Sequence, residues 1–269
     1  MKKQRPILAP ESYEHVREFL SEKEFEKIDA EMKSELRLPP VPRFELIPGY
    51  LAPDAAKTLF DRLSALPGFK FETGSCTDEA CHLTVQYGPR QAYNDCVPEQ
   101  YRVISSGDMP DFLTAEQLPL EEKYDCTFNS CQINLHPDGN SHVFSHKDSN
   151  PGHICQISVG TDHREFTLTY ATPFYFPFAH VPLASGSLLT FFPKDQHKMQ
   201  HGMKRSKVPC GMKFSVIFRY IPVIMTKTFI KNAKNTAEAD EIRRQRDDEY
   251  EAAQITGRER RLALAKEKL

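Results

Sequence analysis

The chain between Phe69 and Val223 is a succession of short segments rich in β-branched and aromatic residues, and this pattern most constrains the fold. Glycine, proline, asparagine and aspartate separate the segments, as turn residues separate neighbouring strands. Many short strands at similar spacing are typical of a barrel or a jelly roll. The regular alternation of strand and helix that a doubly wound sheet requires does not occur. The candidate strands are CHLTVQY, TFNSCQINL, HVFSHKD, HICQISV, REFTLTYA, HVPLA, SLLTFFP and MKFSVIFRYIPV.

Helical patterns flank this β-rich region on both sides. Residues 13–36 have apolar positions that fit one or two amphipathic helices, and the prolines at 38–42 end the pattern. Residues 51–66 predict a further helix with Asp54 near its start. After about Met225 the chain is highly charged and again helical in pattern, which is most often a solvated helix or a frayed tail.

The predicted fold class is α+β with a mostly β core, namely a double-stranded β-helix (jelly roll) with N-terminal helices and a charged helical C-terminal tail. The domain organisation that follows is a helical extension over 1–40, a main domain over 41–225 and a tail over 226–269.

Composition sets the class of protein. Of 269 residues, 39% are hydrophobic and 27% are charged, and the formal net charge is −2. These values are typical of a globular protein, and no run of about 18 apolar residues predicts a membrane span. The N-terminus has no apolar signal-peptide core, so we expect an intracellular protein, cytoplasmic or nuclear. A dedicated DNA-binding domain usually has a basic excess, which this sequence lacks.

Two His-x-Asp triplets are candidates for metal binding, because residues i and i+2 of a strand point to the same side and can bind one ion. His136-Pro137-Asp138 continues into Gly-Asn and therefore predicts a turn. His146-Lys147-Asp148 ends a strand-like segment and precedes a polar loop. The second triplet is therefore the better candidate for two ligands at the mouth of a barrel.

A second histidine from a distant segment would complete the two-histidine, one-carboxylate set of non-haem iron oxygenases. His180, His197 and His201 are available, and the last of these precedes the strand-like MKFSVIFRY. In that segment Lys213, Ser215, Ile217 and Arg219 alternate onto one face. Buried cations are costly unless an anion meets them, and the distal carboxylate of 2-oxoglutarate is such an anion. An edge strand with exposed cations is the alternative interpretation.

Residues 129–219 resemble the AlkB family of iron(II)- and 2-oxoglutarate-dependent dioxygenases. NSCQINLHPDGNSHVFSHKD is similar to the family's Asn-x-Tyr…Gly…His-x-Asp block, and SGSLLTFF…QHGM is similar to its Gly-Asp…His-Gly-Val block. Lys213-x5-Arg219 occupies the place of the final Arg-x5-Arg. Val85-Gln-Tyr87-Gly88 resembles a short Tyr-Gly motif in the family's nucleotide-recognition region.

The resemblance implies an oxidative demethylase of N-methylated DNA or RNA bases that uses Fe(II), 2-oxoglutarate and O2. The iron ligands that it implies are His146, Asp148 and His201, and the 2-oxoglutarate-binding residues are Asn134, His136, Lys213 and Arg219. The candidates for substrate contacts are Tyr87 and Tyr93 for stacking and Arg90 for phosphate.

Three departures from the family pattern keep other functions open. His136 stands where the family has tyrosine, Lys213 where it has the first arginine, and Ser187 where it has aspartate. A 2-oxoglutarate oxygenase that acts on a protein or a small molecule is the first alternative, and the sequence pI of about 6.6 and the lack of a basic stripe favour it. Arg219 lies 18 residues beyond His201, and this distance favours an AlkB-like enzyme over a prolyl-hydroxylase-like one. A catalytically degenerate jelly-roll binding module is the second alternative.

Overall fold

A computed structural model describes most of the chain. The described residues are 40–72, 82–92, 104–148, 150–171, 177–228, 233 and 235–267. The helices predicted within 13–36 and the candidate Tyr93 lie outside these residues.

Short strands dominate the described residues, as the sequence predicts. The strands are β1 (Phe44–Ile47), β2 (Lys70–Glu72), β3 (His82–Tyr87), β4 (Ser130–His136), β5 (Val143–His146), β6 (Ile154–Gly160), β7 (Glu165–Tyr170), β8 (Pro177–Pro182), β9 (Ser187–Phe191), β10 (Met199–Met203) and β11 (Lys213–Arg219). The helices are α1 (Pro53–Ser64), α2 (Asp111–Tyr124), α3 (Val223–Lys227) and α4 (Thr236–Glu267).

The strands form two antiparallel sheets. The large sheet has the order β1-β9-β6-β11-β4-β3-β2, and the small sheet has the order β5-β10-β7-β8. From β4 onward the chain crosses repeatedly between the two sheets, which is the connectivity of a jelly roll. The sheets do not close into a barrel. The predicted fold class, a mostly β jelly-roll core accompanied by helices, is confirmed.

The large sheet divides its two faces between core and site. On β11, Phe214, Val216 and Phe218 are buried in a cluster that includes leucines of α1 and α2. Full burial of one such side chain contributes roughly 1.5–3 kcal/mol. The alternate residues of β11, from Lys213 to Arg219, point to the opposite face, between the sheets. A second apolar cluster fills part of that space and includes Phe166, Phe191, Met199 and Met203.

Several elements differ from the sequence prediction. His136, which we expected in a turn, is the last residue of β4 and pairs with Lys213 across the ladder to β11. The segment around His201, for which no strand was predicted, forms β10, which pairs with β5 on one side and with β7 on the other. Helix α2 was not predicted: two of its four buried residues are Gln117 and Glu121, so apolar periodicity does not reveal it.

Helix α4 packs against the domain and is not a frayed tail. Its Glu249 carboxylate accepts a hydrogen bond from the backbone N–H of Val223, at 2.5 Å. Further along, Arg261 donates to the backbone oxygen of Cys126 at 2.7 Å and to Asp125 at 2.9 Å. The residues of α4 that face the domain are largely polar, so the sequence pattern predicts a solvent-exposed helix although α4 is docked. Each described helix is too short or too polar to cross a membrane.

Replacing Gly257 with leucine should undock α4. A Cβ at this position would lie 1.8 Å from Oγ1 of Thr127, so a larger side chain must push the helix away. We expect Gly257→Leu to lower the free energy of unfolding by about 1–3 kcal/mol, as overpacking does. The neighbouring Thr256 is exposed, and Thr256→Leu is the matched control. Thermal unfolding measures both, and equal midpoints for the two variants would show that α4 is not docked.

Candidate metal centre

The ladder between β5 and β10 brings two histidines together. His146 and His201 are direct partners in this antiparallel pair, and their ring centroids lie 4.3 Å apart. Asp148 follows β5 by two residues, and its carboxylate oxygens lie 3.9 Å from His146 Nε2 and 3.5 Å from His201 Nε2. One ligand atom from each residue lies within 4.8 Å of the others. The three side chains therefore surround a space that a single metal ion can occupy.

Gly202 permits this close approach of the two strands. A Cβ on Gly202 would lie 2.9 Å from the backbone nitrogen of Ser145 and 2.9 Å from the backbone oxygen of Val143. Such contacts are tighter than packed backbones allow, so a side chain at this position would push β5 away from β10. His201 and Gly202 in QHGM therefore have linked roles. His201 is the candidate ligand, and the missing side chain of Gly202 lets β5 bring His146 close to it.

The charge states of His201 and Asp148 suit a divalent cation. Burial, with a further contribution from His146, lowers the pKa of His201 to about 3, so this imidazole is neutral. Burial opposes ionisation of Asp148, but the attraction of His201, His146 and Arg219 outweighs it and holds the carboxyl pKa below its ordinary value. His146 contacts the backbone oxygen of Phe144 through Nδ1 at 2.9 Å, and a proton on Nδ1 leaves Nε2 free to bind metal. This donor set fits Fe(II).

A cavity of about 50 Å³ adjoins the three residues. Of the predicted co-substrate residues, Asn134, His136 and Arg219 line it. These three side chains come together because β4 and β11 are adjacent strands. Asn134 and His136 on β4 lie on the same face of the sheet as Arg219 on β11. Sequence reasoning missed three polar residues that also line the cavity, namely Gln132, Gln156 and Ser215.

Nδ1 of His136 and Oγ of Ser215 are buried polar atoms of the cavity lining that have no hydrogen-bond partner among the described residues. Leaving buried polar groups unpaired costs about 1–3 kcal/mol each, so such atoms in a cavity indicate a polar ligand. Both can donate a hydrogen bond, and a carboxylate oxygen is a suitable acceptor for both.

Lys213 lies deeper than the cavity lining. Its side chain is fully buried, and Nζ donates to the backbone oxygen of Leu183. Its strand partners are His136 on β4 and Gly160 on β6. Burial lowers the pKa of Lys213 to about 7, although the nearby Asp162 acts in the opposite direction. Lys213 therefore lies next to His136 on the adjacent strand, and when protonated it would attract an anion in the cavity.

The substrate candidates have different positions. Tyr87 is a correction to the sequence prediction, because it lies with Val85 on the opposite face of β3 and is buried in the core against the helices. A base cannot stack on it there. Arg90 follows β3 and donates to Oε1 of Gln132 at 2.8 Å, so it reaches towards the cavity.

The variant Gly202→Ala should weaken metal binding by about 10- to 100-fold, the effect expected when groups that orient ligands are disturbed. The added methyl would separate β5 from β10 and move His146 away from His201. Gly211→Ala is the control, because a Cβ there would meet no atom within 4 Å. Calorimetric titration with Mn(II), after a check that both variants unfold cooperatively, gives the affinities. Unchanged affinity in Gly202→Ala would contradict the proposed ligand geometry.

Comparison with known proteins finds similarity in structure alone. No family model and no curated protein matches the chain. Among solved structures, OsALKBH1 is 15% identical with a TM-score of 0.51, and the match covers 68% of this chain and all of that chain. A prolyl-4-hydroxylase from Pseudomonas putida is 14% identical, with a TM-score of 0.41 and 67% and 94% of the two chains covered.

A third match is an oxidoreductase of the 2OG-Fe(II) oxygenase family from Burkholderia pseudomallei. It is 16% identical, with a TM-score of 0.44 and coverage of 65% of this chain and 85% of that chain. At 15% identity, the match to OsALKBH1 shows similarity of the fold. The chain therefore shares its fold with OsALKBH1.

Proposed function

We propose that the protein is an Fe(II)- and 2-oxoglutarate-dependent dioxygenase whose iron is held by His146, Asp148 and His201. The observation that carries this proposal is the convergence of the three ligand atoms within 4.8 Å, beside a buried polar cavity. When bound there, Fe(II), 2-oxoglutarate and O2 together supply the oxidant that hydroxylates a substrate C–H bond, and 2-oxoglutarate leaves as succinate and CO2.

The residues around the cavity divide the recognition of 2-oxoglutarate between them. Arg219 lies beside the proposed metal ligands, since its Nη1 is 3.8 Å from Oδ1 of Asp148. Asn134 lines the same cavity and can donate to the co-substrate. At the other end, His136 and Ser215 present their unpartnered polar atoms, and Lys213 provides positive charge behind them. This arrangement suits an elongated dicarboxylate that binds the metal at one end.

The substrate that we propose is an N-methylated base of DNA or RNA. Hydroxylation of an N-methyl group gives a hydroxymethyl group, which leaves as formaldehyde. Support comes from the AlkB-like motifs around His146, His201 and Arg219, together with the fold shared with OsALKBH1. Arg90, at the rim of the site, is the remaining described candidate for a phosphate contact.

A protein or small-molecule substrate is the second candidate. Tyr87 is buried away from the cavity, which removes one of the two predicted stacking residues, and the formal net charge of −2 does not favour a polyanion. The iron and 2-oxoglutarate chemistry is the same in both cases. The two candidates differ only in what the rim of the cavity recognises.

Product analysis tests the proposal. Purified protein is incubated anaerobically with Fe(II) and 2-oxoglutarate, and O2 is then admitted with a panel of N-methylated DNA and RNA oligonucleotides. We expect mass spectrometry to detect methyl loss and succinate, and His146→Ala to form neither. Succinate without methyl loss would move the substrate to the second candidate. Absence of both, with no 2-oxoglutarate-dependent metal absorption, would refute the oxygenase and favour a binding module.

The affinity for 2-oxoglutarate should fall as the pH rises above about 7. Lys213 has a pKa of about 7, so it is protonated and attractive below this pH and neutral above it. The loss can approach about tenfold per pH unit for one linked proton. Lys213→Arg keeps its charge and should bind with nearly constant affinity between pH 7 and about pH 9. Calorimetry with Mn(II)-loaded protein checks this, and equal pH profiles for the two proteins would contradict it.

A further inference from the structure

Gln132 is a cavity residue with an unusual set of neighbours. It lies on β4, opposite Ile217 of β11, and only 7% of it is exposed. Its Oε1 accepts hydrogen bonds from two guanidinium groups, from Arg90 at 2.8 Å and from Arg219. One carbonyl oxygen therefore joins a residue at the rim of the site to a residue beside the metal ligands.

The other end of the same amide fixes a co-substrate residue. Gln132 Nε2 donates to Oδ1 of Asn134 at 2.8 Å, and Thr84 Oγ1 donates to the same oxygen at 3.1 Å. Guanidinium groups can only donate, so Oε1 of Gln132 must face the arginines and Nε2 must face Asn134. Because Oδ1 of Asn134 is then engaged twice, its Nδ2 is left to donate elsewhere in the cavity.

Gln132 thus acts on the metal site through Arg219. The Arg219 side chain is 9% exposed, and its Nη1 lies 3.8 Å from Oδ1 of the proposed iron ligand Asp148. A long side chain such as arginine has many rotamers, and an acceptor that fixes the planar group selects one of them. Without Oε1 of Gln132, Arg219 would lose a buried acceptor and could pair more closely with Asp148.

We propose that Gln132 is a positioning residue that sets the orientations of Arg219 and Asn134 together, and that it ties Arg90 to the same arrangement. The inference rests on the proposed function, because it concerns how that co-substrate is held. Gln132 contacts none of the three metal ligands at hydrogen-bonding distance and needs no contact with the co-substrate. Its effect is to prepare two binding groups before 2-oxoglutarate arrives, and preorganised groups bind more tightly.

The test is an anaerobic titration of the Fe(II)-loaded protein with 2-oxoglutarate, followed by the visible absorption that arises when 2-oxoglutarate binds the metal. Gln132→Leu should weaken 2-oxoglutarate about tenfold, the size expected for lost buried hydrogen bonds, and should shift the absorption band. Gln132→Glu keeps an acceptor for both guanidinium groups but loses the donor to Oδ1 of Asn134 and adds a negative charge, so we expect it to recover only part of the affinity.

A matched control separates positioning from general stability. Gln117 is a buried glutamine of α2 that donates to Glu121 at 2.8 Å and to the backbone oxygen of Phe128 at 3.1 Å, away from the cavity. Gln117→Leu should lower the unfolding midpoint but leave the absorption band and the 2-oxoglutarate affinity unchanged.

The outcomes distinguish the inference from the function on which it rests. Wild-type protein that shows no 2-oxoglutarate-dependent absorption would refute the proposed function. A normal wild-type spectrum with unchanged affinity in Gln132→Leu would overturn the inference alone. An equal loss of affinity in Gln117→Leu would also overturn it, because the effect would then follow from stability.

Discussion

The pairing of β5 with β10 is the interaction on which the candidate site depends. β5 is an edge strand, and β10 is its neighbour in the small sheet. This ladder places His146 opposite His201. Asp148 follows His146 by two residues and lies 3.5 Å from Nε2 of His201. β10 is held in turn by β7 and by the apolar cluster that contains Met199 and Met203. The geometry of the site therefore depends on the close approach of β5 to β10 that Gly202 allows.

The large sheet provides the opposite wall, and its central strands divide their residues strictly between two environments. Phe214, Val216 and Phe218 bury apolar surface against the helices, while Lys213, Ser215 and Arg219 face the space between the sheets. Burying polar groups is costly unless they find partners. Some of these polar groups are hydrogen-bonded in networks such as that of Gln132. Nδ1 of His136 and Oγ of Ser215 have no partner among the described residues and can bind a ligand in the cavity.

Local periodicity made much of this predictable. The i and i+2 rule predicted His146 and Asp148 as ligands of one ion, and the alternation in β11 predicted that Lys213 and Arg219 share a face. The same rule would have assigned Tyr87 correctly, because it shares a face with Val85, which is buried in the core.

Other features depend on tertiary contacts that no local pattern records. Strand β10 has the unremarkable sequence MQHGM and is extended because it lies between two partners. The inward positions of α4 include Arg246, Gly257 and Arg261, so a docked helix has the composition of a solvated one. Gln132 acquires its position only when β3, β4 and β11 lie side by side.

The most direct measurement is a crystal structure of the protein with Mn(II) and N-oxalylglycine, an unreactive analogue of 2-oxoglutarate, in which anomalous scattering locates the metal. We expect one metal peak, bound by Nε2 of His146, a carboxylate oxygen of Asp148 and Nε2 of His201, with the analogue extending towards His136. A metal bound elsewhere, or an analogue that avoids the cavity, would contradict this expectation.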